Sequence, residues 1–250
     1  MLTDLNNPPI VEVVCGFVFD ELVALDPLLV GQFWSRKRGA YPKREVRPPV
    51  RTQPGFAILE GVGPVRSWLV SAGDEFVIQI QPDRFYFNWR RKGDAYPRFG
   101  THEGRDGVLA RASSEFAEFV AYCQEELKQA PVVRSVELAK IDLVRYSSDE
   151  ELGQLVPSLT AFRTWTKSGS PEINIQIAER SDETDLLVLI SNAVVTPDLS
   201  SAVRVETRAS RALTGGEPEK VFGQMNLVLN ATFERVFSEA AMKRFREVSA

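Results

Sequence analysis

One short stretch, from Arg84 to Arg98, gathers Tyr86, Asn88, Arg90, Arg91, Tyr96 and Arg98. Guanidinium groups present planar forks of donors that match carboxylate or phosphate, and aromatic faces stack on bases and cations. These six side chains are therefore the candidate binding surface. Asp142, further along the chain, joins them as a candidate counter-charge. Phe85, Phe87 and Trp89 alternate with the polar members of the set, and large apolar residues at that spacing mark the core face of a strand. The rings thus read as core; Arg90, Arg91 and Arg98 either meet a ligand or extend over the sheet edge with their charged heads in water.

Other constellations do not point to catalysis. His102 is the single histidine, which rules out any two-histidine metal site, and Cys15 and Cys123 fall in separate elements and cannot complete a zinc tetrad. The chain contains no GxSxG elbow, no GxxxxGK[ST] loop and no GxGxxG. Gly61-Val62-Gly63-Pro64 fails as a phosphate cradle because proline lacks the N–H donor. Asp182, Glu183 and Asp185 lack the spacing of a calcium loop and read as a hairpin tip. Arg204, Glu206 and Arg208 share one strand face as a ladder of ion pairs. No catalytic residue, metal ligand or cofactor is assigned. An enzyme built on carboxylates such as Glu12 or Asp142 is the third reading, behind two kinds of binding protein.

The elements that must position these residues can be read from periodicity. Residues 76–81 and 84–89 each alternate with period two about Pro82-Asp83, which predicts paired antiparallel strands. A β-branched run at 10–19 predicts a central strand. Asp26-Pro27 predicts a helix start, with Asp as the cap and Pro at the first position, ending near Gly39 and Pro42. Residues 43–54 are basic and proline-rich and read as an exposed connector, or as a cationic arm for an acidic partner. Strands at 56–60 and 65–72 precede the central pair. Helical spacing of Leu109, Phe116, Phe119, Val120, Cys123 and Leu127 predicts a helix over 108–129, followed by a long strand over 132–146. The second half repeats the plan, with strands at 160–167, 172–179, 185–191 and 202–211 and a long helix from Pro218 towards Arg246. The expectation is an α+β fold: an antiparallel sheet in two similar halves, each a meander followed by a long helix, with the helices on one face. The halves are placed at 1–148 and 149–250 and are expected to share one core.

The 250 residues are 44% hydrophobic and 26% charged, a composition that supports a full core without disulfide or metal staples. A net charge of −4 argues against a general nucleic-acid coat. The N-terminal MLTDLNNPP has neither the basic nor the apolar region of a secretory leader, and the apolar run 186–190 is too short to span a bilayer. Two thiols in apolar surroundings predict free buried cysteines and a cytoplasmic address.

Asn7-Pro8-Pro9-Ile10-Val11-Glu12-Val13, the QIQPDRFYFNW run at 79–89, and Tyr96-Pro97-Arg98-Phe99 together resemble a sporadically distributed, functionally uncharacterised bacterial family of this length. The chain departs from it at Leu138-Ala139-Lys140-Ile141-Asp142 and at Asn226, where relatives tend to carry a histidine. The resemblance implies a soluble bacterial protein from a patchily inherited gene, of the kind found in defence or toxin–antitoxin loci. The leading expectation is a non-catalytic protein that binds a protein partner and neutralises or regulates a neighbouring gene product. The alternative is a binder of a small anion or nucleotide, in a cleft between the sheet and a long helix, with Arg90, Arg91 or Arg98 as clamps. Self-association is left open.

Overall fold

A computed structural model describes residues 5–49, 66–93, 96, 98–100, 106–160, 173–180, 183–195 and 198–247. The strands are β1 (Ile10–Phe19), β2 (Lys43–Arg47), β3 (Arg66–Val70), β4 (Phe76–Gln81), β5 (Arg84–Arg90), β6 (Val133–Arg145), β7 (Asn174–Arg180), β8 (Asp185–Val195) and β9 (Ser200–Ala212). The described helices are α1 (Pro27–Lys37), α2 (Val108–Glu126), α3 (Asp149–Leu155), α4 (Pro218–Val236) and α5 (Glu239–Arg246). The strands hydrogen-bond in the order β2-β3-β4-β5-β1-β6-β9-β8-β7, so the fold is α+β on an antiparallel sheet. Each half opens with a strand and a short helix, then a meander returns beside the opening strand, and a long helix follows.

The chain packs into two compact units, one made of Val14–Glu137 with Ala212–Phe222, the other of Met1–Val13, Leu138–Arg211 and Gly223–Ala250. In the first, alternation sends Phe85, Phe87 and Trp89 of β5 to the face that carries α1 and α2, and all three rings are 0% exposed. Phe17 of β1 stacks on Phe116 of α2 at 4.0 Å, while Phe119 meets Phe85 at 5.3 Å and Phe33 of α1 at 5.5 Å. Asp26 caps α1 through Oδ1, which accepts from the N–H groups of Leu28 (2.8 Å) and Leu29 (2.9 Å). Cys15 and Cys123 are buried and free, and burial pushes the Cys123 thiol up to about 12.

The second unit has its own core. Val144, Val188, Ile190, Val203 and Val205 of the strands meet Leu152 and Leu155 of α3, and Phe233, Phe237 and Phe245 at the end of α4 and in α5. The Phe233–Phe237 and Phe237–Phe245 rings lie 4.7 and 5.4 Å apart.

Three local expectations are corrected. Residues 43–47 are not connector but strand β2, paired antiparallel with β3 from Lys43↔Val70 to Arg47↔Arg66. All five are exposed on an edge, so no apolar alternation announces the strand. Helix α3 was not expected. Its signal is a capping box: Ser148 Oγ accepts from the Glu151 N–H (3.2 Å), and Glu151 Oε2 accepts from the Ser147 N–H (2.7 Å). The helix expected from 218 to 246 breaks after Val236. Ser238 restarts it by accepting from the Ala241 N–H (3.1 Å), and its own N–H donates to the Leu155 carbonyl (3.0 Å). The strand expected at 56–60 lies outside the described residues, as does that at 160–167 apart from Thr160, which closes a 3-10 turn.

Candidate functional site

The face of β2–β5 opposite α1 and α2, on which no described helix lies, carries the side chains that alternate with the aromatic core. Register sets Tyr86 beside Gln79, Gln79 beside Trp68, and Trp68 beside Glu45, with Arg47 and Arg66 paired one step along. Most of these groups are polar, yet Gln79 and Asn88 are only 5% and 3% exposed. Buried polar groups must be hydrogen-bonded, so each one's partner defines the site.

Two networks cover this face. In the first, Arg84 grips Asp83 in a fork, Nε to Oδ1 at 3.1 Å and a terminal nitrogen to Oδ2 at 2.7 Å, and donates to the Tyr86 hydroxyl at 3.1 Å. The Tyr86 hydroxyl donates to Glu137 Oε2 at 2.7 Å. Burial, reinforced by the Glu137 carboxylate, holds the Tyr86 phenol well above its usual pKa, so it serves as a neutral donor. The Tyr86 ring packs against Gly16: a Cβ there would stand 2.5 Å from Tyr86 Cε1. Glycine is what lets the ring approach the strand.

In the second network, an Arg66 terminal nitrogen donates to Gln79 Oε1 (2.9 Å), and Gln79 Nε2 donates to Asn88 Oδ1 (2.7 Å). This chain fixes the Arg66 guanidinium. Three guanidinium carbons crowd the Trp68 ring: Arg47 and Arg66 at 5.2 Å each, and Arg90 at 4.8 Å from its centroid. Glu45 pairs with Arg47. Burial pulls the Arg66 guanidinium below its usual pKa and the Arg47 charge adds to this, against an opposing pull from Tyr86.

Two donors in this cluster have no acceptor. Arg66 Nε and Trp68 Nε1 are both buried and unpartnered. The contrast with the other described tryptophans is direct: Trp34 Nε1 donates to the Tyr41 carbonyl (2.9 Å) and Trp89 Nε1 to Glu75 Oε1 (3.1 Å). An unmet buried donor costs roughly 1–3 kcal/mol. Two of them, on the same face of β3 beneath converging positive charge, form a place that suits an oxygen-rich anion.

The six residues of the arginine–aromatic stretch divide. Tyr86, Asn88 and Arg90 lie on this face. Arg91 Nε donates to the Gly93 carbonyl at 3.1 Å. Tyr96 packs on the core side, its ring 5.2 Å from that of Trp89. Arg98 takes a left-handed φ of 64°, and its carbonyl accepts from the Val108 N–H (3.0 Å) at the start of α2. Asp142 belongs to the other unit, where it is 3% exposed. Burial raises its pKa to about 7, partly offset by Lys140, which donates to Asn230 at 2.6 Å. The sequence reading singled out neither Arg66, Trp68 nor Gln79, and it placed Arg47 in a connector. The available signal was the alternation Arg66-Ser67-Trp68-Leu69, which puts a guanidinium and an indole on the same side of one strand.

Among the described residues no cluster of three or more His, Cys, Asp and Glu is placed to hold a metal ion, and no helix is long and apolar enough to cross a membrane. No protein-family model, curated protein or solved structure matches the chain.

Proposed function

We propose that the protein is a binding module whose β2–β5 face opposite α1 and α2 receives an anionic group, with Arg47, Arg66 and Arg90 supplying charge and Trp68 a donor. One observation carries the reading: Arg66 Nε and Trp68 Nε1 are buried without an acceptor, and the guanidinium groups of Arg47, Arg66 and Arg90 gather around the Trp68 ring. An incoming anion satisfies both donors and offsets the crowded positive charge in a single step. Between an acidic protein surface and a small anion, the buried position of the two donors favours the small anion, because a compact group displaces less of their surroundings than a protein surface does.

Thermal unfolding in sulfate, phosphate or citrate, against chloride at equal ionic strength, tests the reading. A ligand at about 100 times its Kd stabilises the folded state by about 2.7 kcal/mol, a rise of roughly 5–10 °C for a chain of this size. At least one of the three anions is expected to give such a rise, and the double variant Arg47→Gln/Arg90→Gln to lose it. No rise beyond the chloride control with any of the three, or an equal rise in the variant, overturns the reading.

A further inference from the structure

We infer that the chain forms a two-fold dimer through the outer edge of β7, two copies joining into one continuous antiparallel sheet about Ile177. The inference is independent of the anion-binding reading and concerns a different strand. Among the described strands β2 and β7 end the order and have a neighbour on one side only. In β7, residues 174 and 176–180 are exposed, and Ile177 is 52% exposed although it pairs with Val188 of the core. The Asn192 N–H donates to the Ile173 carbonyl at 3.2 Å, and the register of β7 on β8 sets these two residues opposite each other. They form a hydrogen-bonded pair, so alternation along the ladder turns the backbone groups of Ile175, Ile177 and Glu179 towards β8. Those of Asn174, Gln176, Ala178 and Arg180 point outward, and no backbone group of the described residues bonds to them from the outer side.

An antiparallel second copy centred on Ile177 uses all four. Gln176 then faces Ala178 of the second copy and Asn174 faces its Arg180, so every outward N–H meets an outward carbonyl. Ile177 meets its own counterpart in a non-hydrogen-bonded pair, where side chains approach closest, and the contact covers an apolar group that a single copy leaves in water. Glu179 faces Ile175, so no like charges are opposed. Strand β2 fails the same comparison. Centred on Glu45, a second copy would set Glu45 against Glu45 and Lys43 against Arg47, and like charges directly opposite are destabilising. Edge charge of that kind blunts a strand against pairing. One edge is thus self-complementary and the other self-repelling, which gives a closed dimer rather than a growing sheet. A contact of one strand pair is small, so the affinity is modest.

Sedimentation equilibrium of the full chain from about 1 to about 500 µM, the range of modest affinities, reads the association. The weight-average mass is expected to rise from 28.0 kDa towards twice that value and to stop there. Ile177→Lys sets equal charges against each other at the two-fold axis. Gln176→Pro removes one outward N–H and leaves the bonds to β8 in place. Each should weaken the dimer at least about tenfold. Val46→Lys, at an exposed position of β2, should leave it unchanged. Ile177→Lys mixed with Ile177→Glu should restore association, because position 177 faces itself, and this arm stays decisive if the proline disturbs β7. A mass of 28.0 kDa across the whole range overturns the inference, as does growth beyond a dimer. Association that Ile177→Lys and Gln176→Pro both leave unchanged, or a mixture that does not recover it, overturns the assignment to β7.

Discussion

Replacing Gly16 with alanine tests whether the Tyr86 ring is held against the strand as the structure requires. The new Cβ would stand 2.5 Å from Tyr86 Cε1, so the ring must retreat by more than an ångström to reach ordinary contact. It cannot retreat freely, because its hydroxyl accepts from Arg84 and donates to Glu137. Forcing an extra carbon into a packed site costs about 1–3 kcal/mol, and losing a hydrogen bond to a charged group about 1.5–3. Gly16→Ala should therefore destabilise the fold by about 3–5 kcal/mol. Tyr86→Ala alone should cost a similar amount, as large aromatic truncations do. In the Tyr86→Ala background the obstacle is gone, and the Gly16→Ala step should be neutral or gain up to about 1 kcal/mol from lower backbone entropy in the unfolded chain. Urea unfolding of the four proteins gives the coupling directly, expected at about 3–6 kcal/mol. If the Gly16→Ala step costs the same with and without the Tyr86 ring, the close approach does not control this face.

Two further outcomes follow from the second unit. Asp142 has a folded pKa of about 7, above the usual carboxylate value, so its contribution to stability is complete below about pH 4 and is lost as pH rises towards 7. Asp142→Asn removes that loss, and urea unfolding at pH 5 and pH 7.5 should show the variant gaining on the wild type at the higher pH; an unchanged difference contradicts the burial. Ser238→Ala removes the cap that restarts the C-terminal helix and should cost about 0.5–2 kcal/mol in the same assay, whereas no cost would mean that α5 is held by its packing alone.

The architecture was legible because periodicity and packing agree along much of the chain. Phe85, Phe87 and Trp89 alternate and are all buried; Asp26-Pro27 starts a helix; the 108–129 stripe becomes α2 with Phe116 and Phe119 inward. Elements without an apolar period were not legible. Strand β2 is charged on both faces, and α3 shows itself only through a local capping box. The site was half legible. Tyr86, Asn88 and Arg90 follow from alternation within one hairpin, but Arg66 and Trp68 join them only through the register of β3 against β4. A tryptophan whose N–H lacks an acceptor looks in sequence like any other. Arg98 lies where its backbone sets the start of α2, its carbonyl accepting from the Val108 N–H, a placement that alternation along β5 does not announce.

The indole N–H of Trp68 gives the most direct test of anion binding on this face. The chain has four tryptophans, and a proton–nitrogen correlation spectrum resolves their side-chain N–H groups, with Trp68 assigned by its absence in Trp68→Phe. Trp34 and Trp89 already donate to acceptors, whereas Trp68 does not. On titration with whichever of sulfate, phosphate and citrate raises the melting temperature most, the Trp68 signal should move downfield and saturate, while those of Trp34 and Trp89 stay in place. A Trp68 signal that does not move, or that drifts equally with the others and with chloride, would contradict an anion site on this face.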